Sequence, residues 1–167
     1  FYNTAYYNDV TNWENDVLYI GNHLIEAKTT ITNCIVKPGT KTITDYAFYN
    51  CTSLTSVTIP DSVTSIDRYV FSGCTSLTSV TIGDSVTSIG RDAFSNCTSL
   101  ESVKISKNTL EIVSGAFSGC SALTDVYYNG TVEDYVKMYI GTENLPFRAA
   151  KVHYVVNDGW VYEYGQW

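Results

Sequence analysis

Cysteine is the most reactive residue type in this chain, and four cysteines recur every 23 residues: Cys51, Cys74, Cys97 and Cys120. If units of that length stack, successive Cα atoms lie about 4.8 Å apart. Parallel side chains then hold the Cβ atoms at about that spacing, slightly beyond the usual disulfide range of about 3.5–4.5 Å. Neither histidine, His23 or His153, stands at metal-ligand spacing from a cysteine. We therefore predict buried thiols that pack as small hydrophobic groups, with no metal and no cofactor.

The remaining polar residues show no catalytic arrangement. The two histidines fall in predicted terminal strands, with no nucleophile or carboxylate at a recognisable spacing. Asp61 and Asp84 are related by the same 23-residue interval and stand in predicted turns, where aspartate caps its own backbone. No serine lies in a G-x-S-x-G motif. The sequence therefore predicts a protein that is not an enzyme.

Composition excludes two classes of partner. The net charge of −7 and the isoelectric point near 4.6 argue against nucleic acid and anionic membranes, which attract basic surfaces. No apolar run approaches the roughly 18 residues of a membrane span. No basic segment followed by an apolar one opens the chain, so a signal peptide is expected to be absent or removed. The opening Phe1-Tyr2-Asn3-Thr4 is similar to Phe48-Tyr49-Asn50-Cys51, which suggests a fragment of a longer protein.

Apolar residues share the 23-residue period of the cysteines. Two such series are Phe48, Phe71, Phe94, Phe117 and Leu54, Leu77, Leu100, Leu123. A period in this range is typical of stacked repeats, in which each coil buries its apolar side chains against its neighbours. We assign residues 31–126 to these repeats, with Cys34 at a strand position of a degenerate first copy.

Each repeat contains the same predicted elements. Leu54-x-x-Val57-x-Ile59 alternates as a short strand with Ser56 and Thr58 facing outward. The stretch from Val63 to Ile66 is extended, and Asp67 to Phe71 is expected to form a short helical turn. In the third repeat Leu110 falls one position after the slot of Val86, which predicts a local bend.

The two ends are predicted to be caps. Residues 1–30 form a connector and a hairpin of 17–20 and 23–26, joined by Gly21-Asn22, which tolerate a tight turn. Residues 127–156 form a C-terminal cap, with Thr131 as N-cap of a helix that ends before Gly141 and a closing strand at 151–156. Residues 157–167 are expected to be a linker or the start of another module.

The outward strand positions form the candidate binding surface. One row is Asn33, Ser56, Ser79, Ser102 and Asp125, and the next is Ile35, Thr58, Thr81, Lys104 and Tyr127. The candidate ligand-binding residues are Ser56, Thr58, Ser79, Thr81, Ser102, Lys104, Asp125 and Tyr127. The alternative is that serine and threonine only solvate a sheet of good β-formers. The run of serine and threonine is broken at Lys104, Asp125 and Tyr127, where a contact surface is most favoured.

The repeat unit L-x-x-V-x-I-P-x-S-V-x-x-I-x-x-x-A-F-x-x-C, from Ile31 to Val126, resembles the BspA-like leucine-rich repeats. The resemblance implies an α/β repeat solenoid: a leucine-rich-repeat-like right-handed superhelix with a parallel β-sheet on one face, short strands and helical turns on the other, and an α-helical C-terminal cap. It also implies a bacterial cell-surface or secreted location, often with adhesion, and no shared catalytic residues. The asparagine ladder of other leucine-rich repeats has no counterpart here.

These observations predict a non-enzymatic binding module that contacts a host or extracellular protein, or a glycan, through the exposed sheet face. The alternative is a structural spacer within a larger multidomain surface protein. The start within a repeat pattern and the tryptophan-rich tail favour the spacer, which predicts that the isolated fragment binds nothing while flanking regions do.

Overall fold

The computed structural model describes residues 4–156 and 159–162, which form a β-solenoid built on two sheets. Sheet A contains, in spatial order, β1 (Trp13–Glu14), β2 (Val17–Ile20), β3 (His23–Ala27), β5 (Thr42–Ile43), β7 (Ser65–Ile66), β9 (Ser88–Ile89), β11 (Glu111–Ile112) and β13 (Tyr139–Ile140). Sheet B contains β15 (Gly159–Tyr162), β14 (Lys151–Val156), β12 (Asp125–Asn129), β10 (Ser102–Ser106), β8 (Ser79–Thr81), β6 (Ser56–Thr58) and β4 (Asn33–Ile35). The described helices are all too short to cross a bilayer.

Strand pairing follows the 23-residue period without slippage. In sheet B, Ser56 is paired in parallel with Ser79, and Ser79 with Ser102. In sheet A, Ile43 is paired with Ile66, and Ile66 with Ile89. Each coil therefore contributes one strand to each sheet, as the repeat predicted.

The interior consists of columns of identical side chains. The rings of Phe48, Phe71, Phe94 and Phe117 stack in series with centroids 4.9–5.2 Å apart. All five cysteines are free and buried, which confirms the expected thiols. The Sγ–H of Cys74 donates to the carbonyl of Phe48 at 3.1 Å, and Cys97 repeats this bond to Phe71. All five thiols therefore pack as core groups, and those of Cys51, Cys74, Cys97 and Cys120 also bond to a carbonyl of the preceding coil.

The segments that follow β5, β7, β9 and β11 are series of turns, so the predicted helical turn over Asp67 to Phe71 is wrong. The backbone is left-handed at Tyr69 and again at Gly73, and a helix cannot continue through such residues. The same two positions are left-handed in every coil: Tyr46 and Asn50, Asp92 and Asn96, Gly115 and Gly119. Phe71 points inward and is buried, as expected.

The N-terminal hairpin is confirmed. Strands β2 and β3 are antiparallel and join through Gly21, whose φ of 58° is left-handed. Strand β3 also pairs in parallel with β5, so the hairpin extends sheet A beyond the first coil. Before it, the chain forms α1 (Ala5–Asn8) and a 3₁₀ helix at Val10–Asn12, and residues 1–3 lie outside the described range.

The third coil keeps the common phase, which corrects the expectation of a bend at Leu110. Thr109, not Leu110, fills the slot of Val86; it is buried, and its hydroxyl donates to the carbonyl of Val86 at 2.9 Å. Leu110 faces solvent with 65% of its surface exposed. A threonine can occupy an apolar column when the neighbouring coil offers a carbonyl acceptor.

The predicted long C-terminal helix is wrong in extent. Helix α2 spans only Val132–Tyr135, although its capping box of Thr131 and Asp134 is present. The next residues, Tyr139–Ile140, form β13, which pairs in parallel with β11. Backbone pairing with the preceding coil therefore replaces the last part of the predicted helix.

A second short helix, α3 (Leu145–Ala149), closes the interior. Its Phe147 is buried and stacks on Phe117 at 4.9 Å, which adds a fifth ring to the column. The buried Asn144 precedes α3; its Oδ1 accepts the N–H of Phe117 at 2.9 Å, and its Nδ2 donates to the carbonyls of Val113 and Gly141. One side chain thus bonds the last coil to the coil before it.

The closing strand is confirmed at Lys151–Val156, parallel to β12. Strand β15 follows it in antiparallel orientation, inside the stretch predicted to be a linker or the start of a module. The rest of that stretch, residues 157–158 and 163–167, lies outside the described residues.

Candidate functional site

The outer face of sheet B presents the two predicted rows in register. Asn33, Ser56, Ser79, Ser102 and Asp125 are successive partners, and so are Ile35, Thr58, Thr81, Lys104 and Tyr127. Val57, Val80, Val103 and Val126, which alternate with them, are buried. Every candidate residue therefore lies on one face, as strand alternation requires.

Toward the first coil, hydroxyl groups on and beside this face bond to Asn33 and to backbone carbonyls. Ser56 Oγ and Thr55 Oγ1 both donate to Asn33 Oδ1 at 2.9 Å. Thr55 Oγ1 also lies within 2.9 Å of the Thr32 carbonyl, and Thr78 bonds to the carbonyl of Thr55 in the same way. Because these hydroxyl groups bond to the neighbouring coil, this end of the face has the character of a solvated scaffold.

Toward the last coil, charged and aromatic side chains replace the hydroxyl groups. Strand β14 places Lys151 beside Asp125 and His153 beside Tyr127. His153 Nε2 lies 2.6 Å from Asp125 Oδ1, and the imidazole stacks on the Tyr127 ring with centroids 4.7 Å apart. We name Lys104, Asp125, Tyr127, Lys151 and His153 the end cluster.

Hydrogen bonds fix the charge at the centre of the end cluster. The Thr124 hydroxyl donates to Asp125 Oδ2 at 2.7 Å. This bond, followed by the one with His153, holds the pKa of Asp125 below its ordinary value. Asp125 is therefore an anchored anion with a stacked His153–Tyr127 pair on one side.

The sequence located Lys104, Asp125 and Tyr127 but missed Lys151 and His153. Those two belong to β14, which is 26 rather than 23 residues after its partners in β12 because α2, β13 and α3 enlarge the last coil. The signal that could have found them was the closing strand itself: aligning Val152 with Val126 places His153 beside Tyr127.

Other residues with reactive side chains have structural partners. Asp61 Oδ1 accepts the backbone N–H of Asp84 at 2.8 Å, so it caps the next coil and not its own turn as predicted. His23 Nδ1 is 2.8 Å from the Thr42 hydroxyl. Within the part of the chain that the structure describes, no three His, Cys, Asp or Glu side chains converge as a metal site. The end cluster is therefore suited to reversible contact through charge, hydrogen bonds and ring faces.

The repeats identify the family. The family model described as BspA type leucine rich repeat region matches residues 18–139 in six copies. The chain belongs to this family. The match begins in strand β2 and ends in strand β13, so it includes the hairpin and the start of the C-terminal cap as well as the regular BspA-type coils.

Solved structures agree with this assignment. A leucine rich cell surface protein from Faecalibacterium prausnitzii is 27% identical with a TM-score of 0.57, over 74% of this chain and 40% of that chain. This BspA-type chain therefore spans less than half of that protein. A leucine rich repeat protein from T. pallidum is 22% identical with a TM-score of 0.50, over 80% of both chains, and shows the fold alone. A search of curated proteins found no match.

Proposed function

We propose that this BspA-type repeat is a non-enzymatic binding module of a bacterial surface protein, and that the end cluster of sheet B contacts an extracellular or host protein. The observation that carries the proposal is the change along one sheet face from small hydroxyl side chains to Lys104, Asp125, Tyr127, Lys151 and His153. The surface location of the similar Faecalibacterium protein supports the cellular setting.

A protein partner fits this face better than a small molecule does. The outer face of a short-stranded sheet is broad and shallow, and repeat proteins commonly bind macromolecules through such surfaces. Tyrosine is enriched among residues that dominate protein interfaces, and charges of both signs beside it fix the orientation of a partner. The stacked imidazole leaves Tyr127 half-buried and rigid, which lowers the entropy lost on binding.

The test is a binding screen of the purified protein against extracellular-matrix and mucosal proteins by biolayer interferometry. Against any protein bound by the wild type, Lys104→Ala and Tyr127→Ala should each raise Kd by at least about fivefold. The matched controls Lys41→Ala and Tyr139→Ala remove exposed side chains away from the end cluster and should leave Kd unchanged. Thermal unfolding of all four variants checks that the fold persists.

Unchanged binding by both end-cluster variants would remove this site. A wild-type chain that binds none of the proteins would contradict the binding role and favour the spacer, whose repeats only separate other domains. Equal weakening by the Lys41→Ala control would indicate a general charge effect instead of a site.

A further inference from the structure

A second surface feature lies on the turn segments, away from the outer rows of sheet B. Tyr46 and Tyr49 are exposed to 52% and 45%, and their rings meet edge to face with centroids 5.6 Å apart. On its other side, Tyr46 stacks on Tyr69 at 5.0 Å with the rings nearly parallel. The result is a short aromatic strip on the first two coils.

The strip borders a groove of about 360 Å³ between β3 and the first turn segment. We name it the tyrosine groove, and its polar and aromatic lining is Glu26, Thr29, Asp45, Tyr46 and Tyr49. Its volume falls within the about 300–1,000 Å³ of small-molecule sites. It combines ring faces with carboxylate and hydroxyl groups that can orient a ligand.

The backbone conformation at Tyr46 indicates that the turn itself does not favour a tyrosine at this position. Tyr46 and Tyr69 have φ of 65° and 58°, in a left-handed region that bulky side chains rarely adopt. The equivalent positions in the next two coils are Asp92 and Gly115, residue types that adopt this conformation at lower cost. Tyrosine at these positions therefore requires a contribution from its ring.

The charges of the groove select the ligand chemistry. Arg68, next to the groove, donates to Asp45 through both its backbone N–H and its guanidinium, each at 2.9 Å. That pairing offsets the charge of Asp45, and among the described residues the groove lining contains no lysine, arginine or histidine to attract an anion. Glu26 Oε1 accepts the Tyr7 hydroxyl at 3.1 Å, and its other oxygen can accept a further hydroxyl group.

We propose that the tyrosine groove binds a neutral sugar, with a pyranose C–H face on the tyrosine rings and its hydroxyl groups donating to Glu26 and Asp45. A pyranose ring has an apolar face of C–H groups and hydroxyl donors around its edge. This combination matches adjacent aromatic and carboxylate groups. The groove shares no residue with the end cluster, so this proposal does not depend on a protein partner at sheet B.

The test is saturation-transfer-difference NMR with four neutral disaccharides: lactose, N-acetyllactosamine, cellobiose and maltose. At least one should give a saturable signal on its pyranose C–H protons. Tyr49→Ala should weaken binding by at least about tenfold. The exposed-tyrosine control Tyr139→Ala, at the other end of the chain, should bind as the wild type does.

Tyr46→Gly separates a ligand role from a structural one. Glycine relieves the left-handed strain, so the melting temperature should stay near that of the wild type while sugar binding is lost. If this variant instead binds normally, or if none of the four sugars gives a signal, the proposal is wrong. A response to tetramethylammonium but to no sugar would also overturn it, because it would assign the groove to cations. Lys104→Ala should retain sugar binding, so the outcome of this test does not depend on whether the end cluster binds a protein.

Discussion

At the scale of single residues, all five cysteine thiols are buried, and four of them, Cys51, Cys74, Cys97 and Cys120, also have a carbonyl acceptor in the preceding coil. Burial raises the pKa of Cys34 to about 11 and the pKa values of Cys51 and Cys74 to about 12. In an unfolded chain these thiols titrate near 9.0. Because the folded state favours the protonated thiol, its stabilising contribution is full below pH 9 and is lost as pH rises toward 12.

This linkage predicts how Cys74→Ala changes alkaline stability. Between pH 7 and pH 10 the free energy of unfolding of the wild type should fall by about 1.4 kcal/mol for each such thiol. The variant lacks one thiol, so its fall should be smaller by about that amount. Urea denaturation at the two pH values measures the difference, and identical falls in both proteins would contradict the assignment.

Asn144 is the polar residue whose loss should cost most. Asn144→Ala would leave the N–H of Phe117 and the carbonyl of Gly141 without their side-chain partner in a buried place, whereas the carbonyl of Val113 keeps the N–H of Ala116. Each unsatisfied buried group costs about 1–3 kcal/mol, so we expect a loss of about 2 kcal/mol or more. Urea denaturation tests this, with the exposed Asn8→Ala as control. A loss below about 0.5 kcal/mol, the range of ordinary surface changes, would contradict the role.

At the scale of secondary-structure elements, the sequence predicted the features that recur with the 23-residue period. The repeat strands, their register and the buried Phe and Cys columns follow from identical residues 23 positions apart, whereas the hairpin at Gly21 follows from its turn residues between two apolar runs. The sequence did not reveal the left-handed backbone at Tyr46 and Tyr69, since tyrosine is not a residue type that marks such a conformation. A helical turn was therefore predicted where turns occur.

The C-terminal errors have a common physical cause. The apolar spacing from Val132 to Ile140 suits a helix, but Tyr139–Ile140 can also pair with the open edge of β11, and that pairing satisfies backbone groups of the previous coil. The bend predicted at Leu110 was wrong for a similar reason. The sequence alone does not distinguish a buried threonine with a carbonyl partner, here Thr109, from an exposed threonine. Tertiary context decided each case, and it also placed His153 in the end cluster.

At the scale of the whole molecule, stability comes from contacts between neighbouring coils. The columns of buried side chains and the strand ladders of sheets A and B repeat with the same register in successive coils. One coil can therefore stack on the next in the same way. The end cluster and the tyrosine groove use different segments of this scaffold. Sheet B positions the former and the turn segments position the latter.

The most direct test removes one complete period. Deleting residues 56–78 joins Thr55 to Ser79, which is equivalent to Ser56, so β8 can pair with β4 in the original register. We predict cooperative urea unfolding with a smaller m-value, and slow reaction of the four remaining cysteines with a thiol reagent at pH 8. Immediate labelling of those thiols, or loss of the cooperative transition, would contradict a solenoid of interchangeable coils around one shared interior.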